Sequence, residues 1–438
     1  MADYQRTDYM LESSHGVASL VPVSLTDVLE YRLANGLTVL SLYEPSSPVV
    51  TVMIWYRVGS AYEARGETGT AHFIEHMMFR GTSRFGEGEI DRRTSRCGGT
   101  SNAYTGYEFT AYFFVFSADR WSVALEMEAD RMQGCLFEPE ALEREREVIL
   151  EEIAMEQDDP WEVLHWEIDR RVFGEGGYGH PVVGLAEDVA RLERSRLQDF
   201  YRRYYRPDRA IIVLVGGHQP ALALEKVEAL FGGIRPSGRE GVREGAGTVR
   251  LSPGPVYWET KRPGHIDRLL LAYPAPGLDD QDFPSFLVLD RLLSQGRLSL
   301  LHRRLLEDRE LISTFSTDFE ETKCSSLYYL HMELLKGIAP EQVAQEVQRV
   351  FEGVCEGRFS AEELKRARNQ TVTSLLADLE TGVDRAFQLG LYGTLVRWER
   401  LREVIERVSR LTMEDLQRAA WRFLGSGSKA VGLQRART

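Results

Sequence analysis

Thr70-Ala71-His72-Phe73-Ile74-Glu75-His76-Met77-Met78-Phe79 is the most informative stretch of this 438-residue chain. It contains no proline, and its residue types favour a helix. At about 100° per residue, His72, Glu75 and His76 fall within an arc of roughly 100°, so two imidazoles and a carboxylate leave one face. Imidazole nitrogen and carboxylate oxygen are zinc ligands, and catalytic zinc sites use three protein ligands and keep one position for water. Two histidines at i and i+4 can reach one ion. Glu75 is better placed to meet a water there than the ion itself. The chain has nine His and 67 acidic residues. Chance then gives H-x-x-E-H only about 0.03 times in this length, which makes a pair of ordinary helix histidines the weaker reading.

The flanking sequence reads as α+β. Gly36–Leu40, Val49–Tyr56, Phe109–Phe116 and Ile211–Val215 are β-branched and aromatic runs typical of strands. Long helical stretches lie between them, among them Ala141–Glu156 and Pro284–Leu293. This alternation predicts a mostly antiparallel sheet with helices packed on one face. The pattern is written twice. Leu197-Gln198 in LERSRLQDFYRRYYRPDRAIIVLVGG (192–217) matches Leu416-Gln417 in VSRLTMEDLQRAAWRFLGSGSKAVGL (408–433). Leu142, Arg144 and Arg146 match Leu364, Arg366 and Arg368 at nearly the same offset. Two near-equal offsets, each about half the chain, imply two similar halves. Between them, residues 235–255 are rich in Gly, Pro and Arg, as an exposed linker would be. The expected organisation is a metal-bearing domain over 1–236, a linker over 237–256, and a similar domain without the motif over 257–438.

Composition narrows the function. Lys and Arg total 53 against 67 acidic residues, a net charge of −14, which argues against a nucleic-acid partner and a basic membrane-surface role. No apolar run approaches the ~20 residues of a membrane helix. The polar start MADYQRTDYMLESS has no secretory-signal pattern, and the chain is expected in the cytoplasm. Cys97, Cys135, Cys324 and Cys355 are widely spaced, form no CxxC, and read as reduced thiols. No GxGxxG follows a strand and opens a helix, and no GxxxxGK[ST] occurs, so a nucleotide site has no support.

H-x-x-E-H reverses the order H-E-x-x-H and marks the inverzincins. Together with Gly59-Ser60 through Thr82, GGTSNAYTGYEFTAYFF (98–114), FYRRYYRPDRAIIVLVGG (200–217) and the doubled layout, it makes the chain resemble the M16 metallopeptidases. That family includes pitrilysin, insulysin and mitochondrial processing peptidase. By length the chain is similar to the M16B branch. The resemblance covers nearly the whole chain, strongest over 35–220 and weaker beyond 250. It implies a zinc endopeptidase subunit with one Zn²⁺ per chain and a third ligand on another helix. Glu152, well downstream of His76, aligns with that ligand, with Glu151 as the alternative. Glu145, two turns earlier, matches the family's supporting acidic residue and belongs to the catalytic set with Glu75, the general base. Glu143, Glu147, Glu151 and Glu156 otherwise read as a solvated helix face. The resemblance also implies that peptide adds as a strand along Asn102-Ala103-Tyr104, a sequence-tolerant mode of binding.

The second half carries no H-x-x-E-H, and Ala367 and Ser374 stand where the repeat would place counterparts of Glu145 and Glu152. Active relatives supply an Arg and a Tyr, seven positions apart, from this half. Here Leu306 and Ser313 align with them, and no tyrosine lies between Leu298 and Leu327. The resemblance therefore implies a partner, a paralogous M16-like subunit with the Arg/Tyr pair that closes a clamshell chamber over short or unfolded peptides. A homodimer is the other arrangement. The competing function is a non-catalytic structural or peptide-binding subunit of a larger complex.

Overall fold

The computed structural model describes residues 23–236, 256–425, 427 and 429–437. The first half forms a six-stranded sheet from β1 (Leu29–Arg32), β2 (Thr38–Tyr43), β3 (Val49–Tyr56), β4 (Thr100–Thr105), β5 (Thr110–Ser117) and β6 (Ala210–Gly216). Its spatial order is β1-β2-β6-β3-β5-β4. The second half forms a sheet from β7 (Val256–Pro263), β8 (Arg268–Pro276), β9 (Ile312–Phe319), β10 (Ser325–Leu334) and β11 (Ala430–Arg437). Its order is β7-β11-β8-β10-β9. The expected linker lies outside the described residues except for Val256, which opens β7.

Without β1 the two sheets have one topology. Each has a single parallel pair, β2 with β6 and β7 with β11, and antiparallel pairing elsewhere. Ile211 lies between Thr38 and Trp55. Ala430 lies in the same way between Val256 and Ala272. Ile211 and Ala430 are separated as Leu197 and Leu416 are, so the offset found in the sequence is also the register of the duplication.

Each sheet packs its own helices on one face. Val52, Ile54, Phe114 and Leu214 meet Phe73 and Ile74 of the helix Thr70–Met77 and Ile149 of the helix Pro139–Asp158. Such runs read as continuous rather than alternating because both faces of the central strands are covered. The second face is filled by exchange. The helix Gly382–Leu395 of the second half lies under β3 and β6 of the first, with Phe387 5.2 Å from the Trp55 ring. The helix Pro160–Phe173 of the first half places Leu164 and Ile168 against Leu270, Ala272 and Ala430. Each sheet is completed by one borrowed helix. Among the described residues, no helix is long and apolar enough to cross a membrane.

Candidate metal centre

The helix Thr70–Met77 buries Ala71, Phe73, Ile74 and Met77, which leaves His72, Glu75 and His76 on the opposite, half-open face. Its start is held without a side-chain cap from its own N-terminus. Gly69 adopts φ +85°, and a Cβ there would lie 2.7 Å from the Val183 carbonyl oxygen, so only glycine fits this left-handed turn. The buried Glu63 carboxylate accepts the N–H groups of Gly69 (2.8 Å) and Ala71 (2.7 Å). It satisfies donors that a helix start otherwise leaves bare.

Glu152 enters from the helix Pro139–Asp158. Its Oε2 lies 3.8 Å from His72 Nε2 and 3.6 Å from His76 Nε2. One ligand atom from each of the three residues lies within 4.8 Å of the others. Around a tetrahedral Zn²⁺ with bonds of about 2.1 Å, donor atoms stand roughly 3.4 Å apart. The two Glu152 distances are a few tenths of an ångström from that, and two imidazoles with a carboxylate are the chemistry zinc takes. Glu151, the alternative, is exposed.

The rings are prepared for a cation. Burial and the adjacent His76 push His72 down to about 3, which keeps it neutral with a lone pair to give. At His76, burial opposes the charged ring, but Glu145, Glu152 and Glu75 outweigh it and raise the pKa. His76 Nδ1 donates to Glu145 Oε2 at 3.0 Å, so Nε2 is the nitrogen that faces Glu152. Glu145 is 3 % exposed. Burial works against its charge, yet His76 and Arg80, whose Nε is 2.6 Å from Glu145 Oε1, hold it below the usual carboxylate range.

Glu75 accepts a 2.5 Å hydrogen bond from Thr105 Oγ1. Burial raises its pKa against the pull of Thr105 and His76. Thr105 ends β4, and β4 is the sheet's edge strand. Asn102, Ala103 and Tyr104 therefore sit on a strand that is paired on one side only, beside the motif helix. The Ala103 N–H donates to Asn102 Oδ1 at 2.9 Å, and exposed Tyr104 stacks on Phe113 at 5.7 Å.

Sequence reasoning missed Glu63, Arg80 and Thr105. Glu63 and Thr105 lie outside the H-x-x-E-H motif, and Arg80 finds its partner on a helix remote in sequence, so no local pattern marks them. One part of the solvated-face reading is corrected. Glu143, Glu147 and Glu151 are exposed, but Glu156 is half-buried and lines a cavity one turn beyond Glu152. In the second half, Leu306 packs on the core and exposed Ser313 donates weakly to the Glu333 carbonyl. Arg303 and Arg304 are paired with Glu363 (2.6 Å) and Glu346 (2.7 Å).

Residues 38–184 match the family model for insulinase (peptidase family M16), and residues 191–371 match the peptidase M16 inactive domain. The chain belongs to peptidase family M16. An uncharacterized zinc protease of Mycobacterium leprae is 26% identical to this M16 chain over 429 residues, covering 96% of it and 95% of the relative. The zinc protease PqqE of Helicobacter pylori is 26% identical over 365 residues, covering 81% and 80%. Among solved structures, a protease from Helicobacter pylori has a TM-score of 0.87 at 23% identity, covering 93% of the M16 chain and 99% of its own. The peptidase M16 inactive domain from Pseudomonas fluorescens has a TM-score of 0.85 at 18% identity, covering 94% and 98%. At these identities the structures establish the two-halved M16 fold.

Proposed function

We propose that this chain is a zinc-dependent endopeptidase subunit acting on short or unfolded peptides. The observation that carries the reading is the convergence of His72, His76 and Glu152 around one point, with Glu75 held beside it by Thr105. The names of the relatives as zinc proteases support zinc as the metal. Zinc in such a ligand set acidifies water and polarises a carbonyl. Glu75 takes the proton from the attacking water and returns it to the leaving amine, the work of a general base and then acid. Glu145 fixes the His76 tautomer and leaves Nε2 on the side of Glu152, where it would be free to ligate a metal. Asn102, Ala103 and Tyr104 receive the peptide as an added strand at the free edge of β4.

Leu306 and Ser313 offer no charged or phenolic donor for the carbonyl oxygen. A second M16-like chain carrying an Arg/Tyr pair supplies it, and the two chains enclose the peptide.

Glu75→Gln tests the chemistry. The variant should keep its zinc and bind unfolded peptide, while turnover falls by about 10²-fold or more. Equal turnover would remove Glu75 from its role. Turnover without a paralogue that matched the reconstituted pair would remove the partner.

A further inference from the structure

A second set of metal-ligating side chains lies away from the H-x-x-E-H helix. His165, on the helix Pro160–Phe173, faces His331 on β10 and Asp318 on β9. The Nε2 atoms of the two histidines are 2.6 Å apart, and an oxygen of Asp318 joins them within 4.8 Å. His331 pairs with Ser316 across the β9–β10 ladder and Tyr329 with Asp318, so His331 and Asp318 are diagonal neighbours on one face of the sheet. Two ring nitrogens at this distance share a single proton between them. A divalent cation in its place needs them to part only to roughly 3.4 Å, the spacing around tetrahedral zinc.

The three residues line a cavity of about 570 Å³. Glu156, Glu162, Asp169 and Glu320 line it as well, and among the described residues no lysine or arginine lines it. Asp169 has a partner in the Tyr329 hydroxyl. Among the described residues the cavity thus gathers carboxylates and imidazoles with no ammonium or guanidinium group in its lining.

The duplication supplies an internal comparison. In the first half the register equivalents are Tyr104 on β4 and Phe113 on β5. Phe387 on the borrowed helix stands for His165, at the offset that also relates Leu142 to Leu364. Those three form an ordinary aromatic cluster, with Tyr104 5.7 Å from Phe113 and 5.7 Å from Phe387. Apolar rings therefore suffice to seat a borrowed helix over an edge strand. The second half carries two imidazoles and a carboxylate at the same three places.

The geometry points to His165, Asp318 and His331 as a second divalent-cation site of the zinc type, one that opens on the cavity reached from Glu156.

Metal titration tests this independently of peptidase activity. His72→Ala/His76→Ala removes the first site, and this variant should still bind about one equivalent of Zn²⁺ or Co²⁺ per chain. Bound Co²⁺ should show a visible ligand-field band. Adding His165→Phe/His331→Phe, which copies the rings of the first half, should abolish the band and the remaining equivalent while preserving the circular dichroism spectrum. Asp318→Asn, at an exposed position, should weaken Co²⁺ binding at least about tenfold should the Phe variant fail to fold. A His72→Ala/His76→Ala protein that binds no Co²⁺ overturns the assignment. So does one whose affinity is unchanged by Asp318→Asn or by the two Phe substitutions.

Discussion

Glu145 Oε2 sits 3.0 Å from His76 Nδ1, and this contact determines which ring nitrogen faces Glu152. A carboxylate behind an imidazole both selects the tautomer and raises its basicity. Glu145→Gln keeps the shape but removes the charge, and it leaves Arg80 without its ionic partner. Zinc affinity, measured by competition with a chelator, should fall about 10- to 100-fold. In Glu75→Gln it should stay within about threefold, because Glu75 is held by Thr105 and is not one of the three residues whose ligand atoms converge.

Two glycines before the motif helix separate backbone strain from close approach. Gly66 has φ +80° with nothing within 4 Å of a Cβ, whereas Gly69 has φ +85° with Val183 and Val189 in contact. Gly66→Ala should cost about 1–2 kcal/mol, the ordinary left-handed penalty. Gly69→Ala adds overpacking of about 1–3 kcal/mol and shifts the helix that carries both histidines. Thermal melting should rank the two in that order. Bound zinc after gel filtration should drop in Gly69→Ala alone.

The legibility of this molecule follows the range of its interactions. β3 occupies Val49–Tyr56, as its β-branched run predicts, and the expected Ala141–Glu156 helix sits inside Pro139–Asp158. His72, Glu75 and His76 were visible because helical spacing alone aligns them. Glu152 needed the family resemblance, since nothing local distinguishes it from Glu151. The Glu75–Thr105 and Glu145–Arg80 contacts, the exchanged helices and the His165–Asp318–His331 cluster join elements remote in sequence. Only the three-dimensional arrangement brings them together.

His218, which is not on the motif helix, predicts a pH dependence of stability. It is 1 % exposed and lies 2.7 Å from Ser41 Oγ through Nε2. Burial pushes it down to about 4, against about 6.5 in the unfolded chain. The native state then binds fewer protons than the unfolded state below pH 6.5. This contribution to stability is complete above that pH and is lost as pH falls toward 4. At pH 5 the loss is about 2 kcal/mol. Urea midpoints at pH 7.5 and pH 5 should differ by less in His218→Gln than in the wild type.

Strand addition at β4 makes a demand on one backbone group. Ala103 lies on the edge strand, and its N–H donates to the side chain of Asn102. A proline on an edge strand is tolerated when its missing donor would have pointed outward. Ala103→Pro should therefore leave the melting temperature nearly unchanged while removing a hydrogen bond that a docked peptide would take over from Asn102. The lost bond is worth about 0.5–1.5 kcal/mol net, and the ring also obstructs the approaching strand. The expected result is a kcat/KM for an unfolded ten-residue peptide lower by about tenfold or more, with zinc content unchanged. Unaltered kcat/KM would move the peptide off this edge. An equal loss of thermal stability would show that the Ala103 N–H serves the β4–β5 ladder instead.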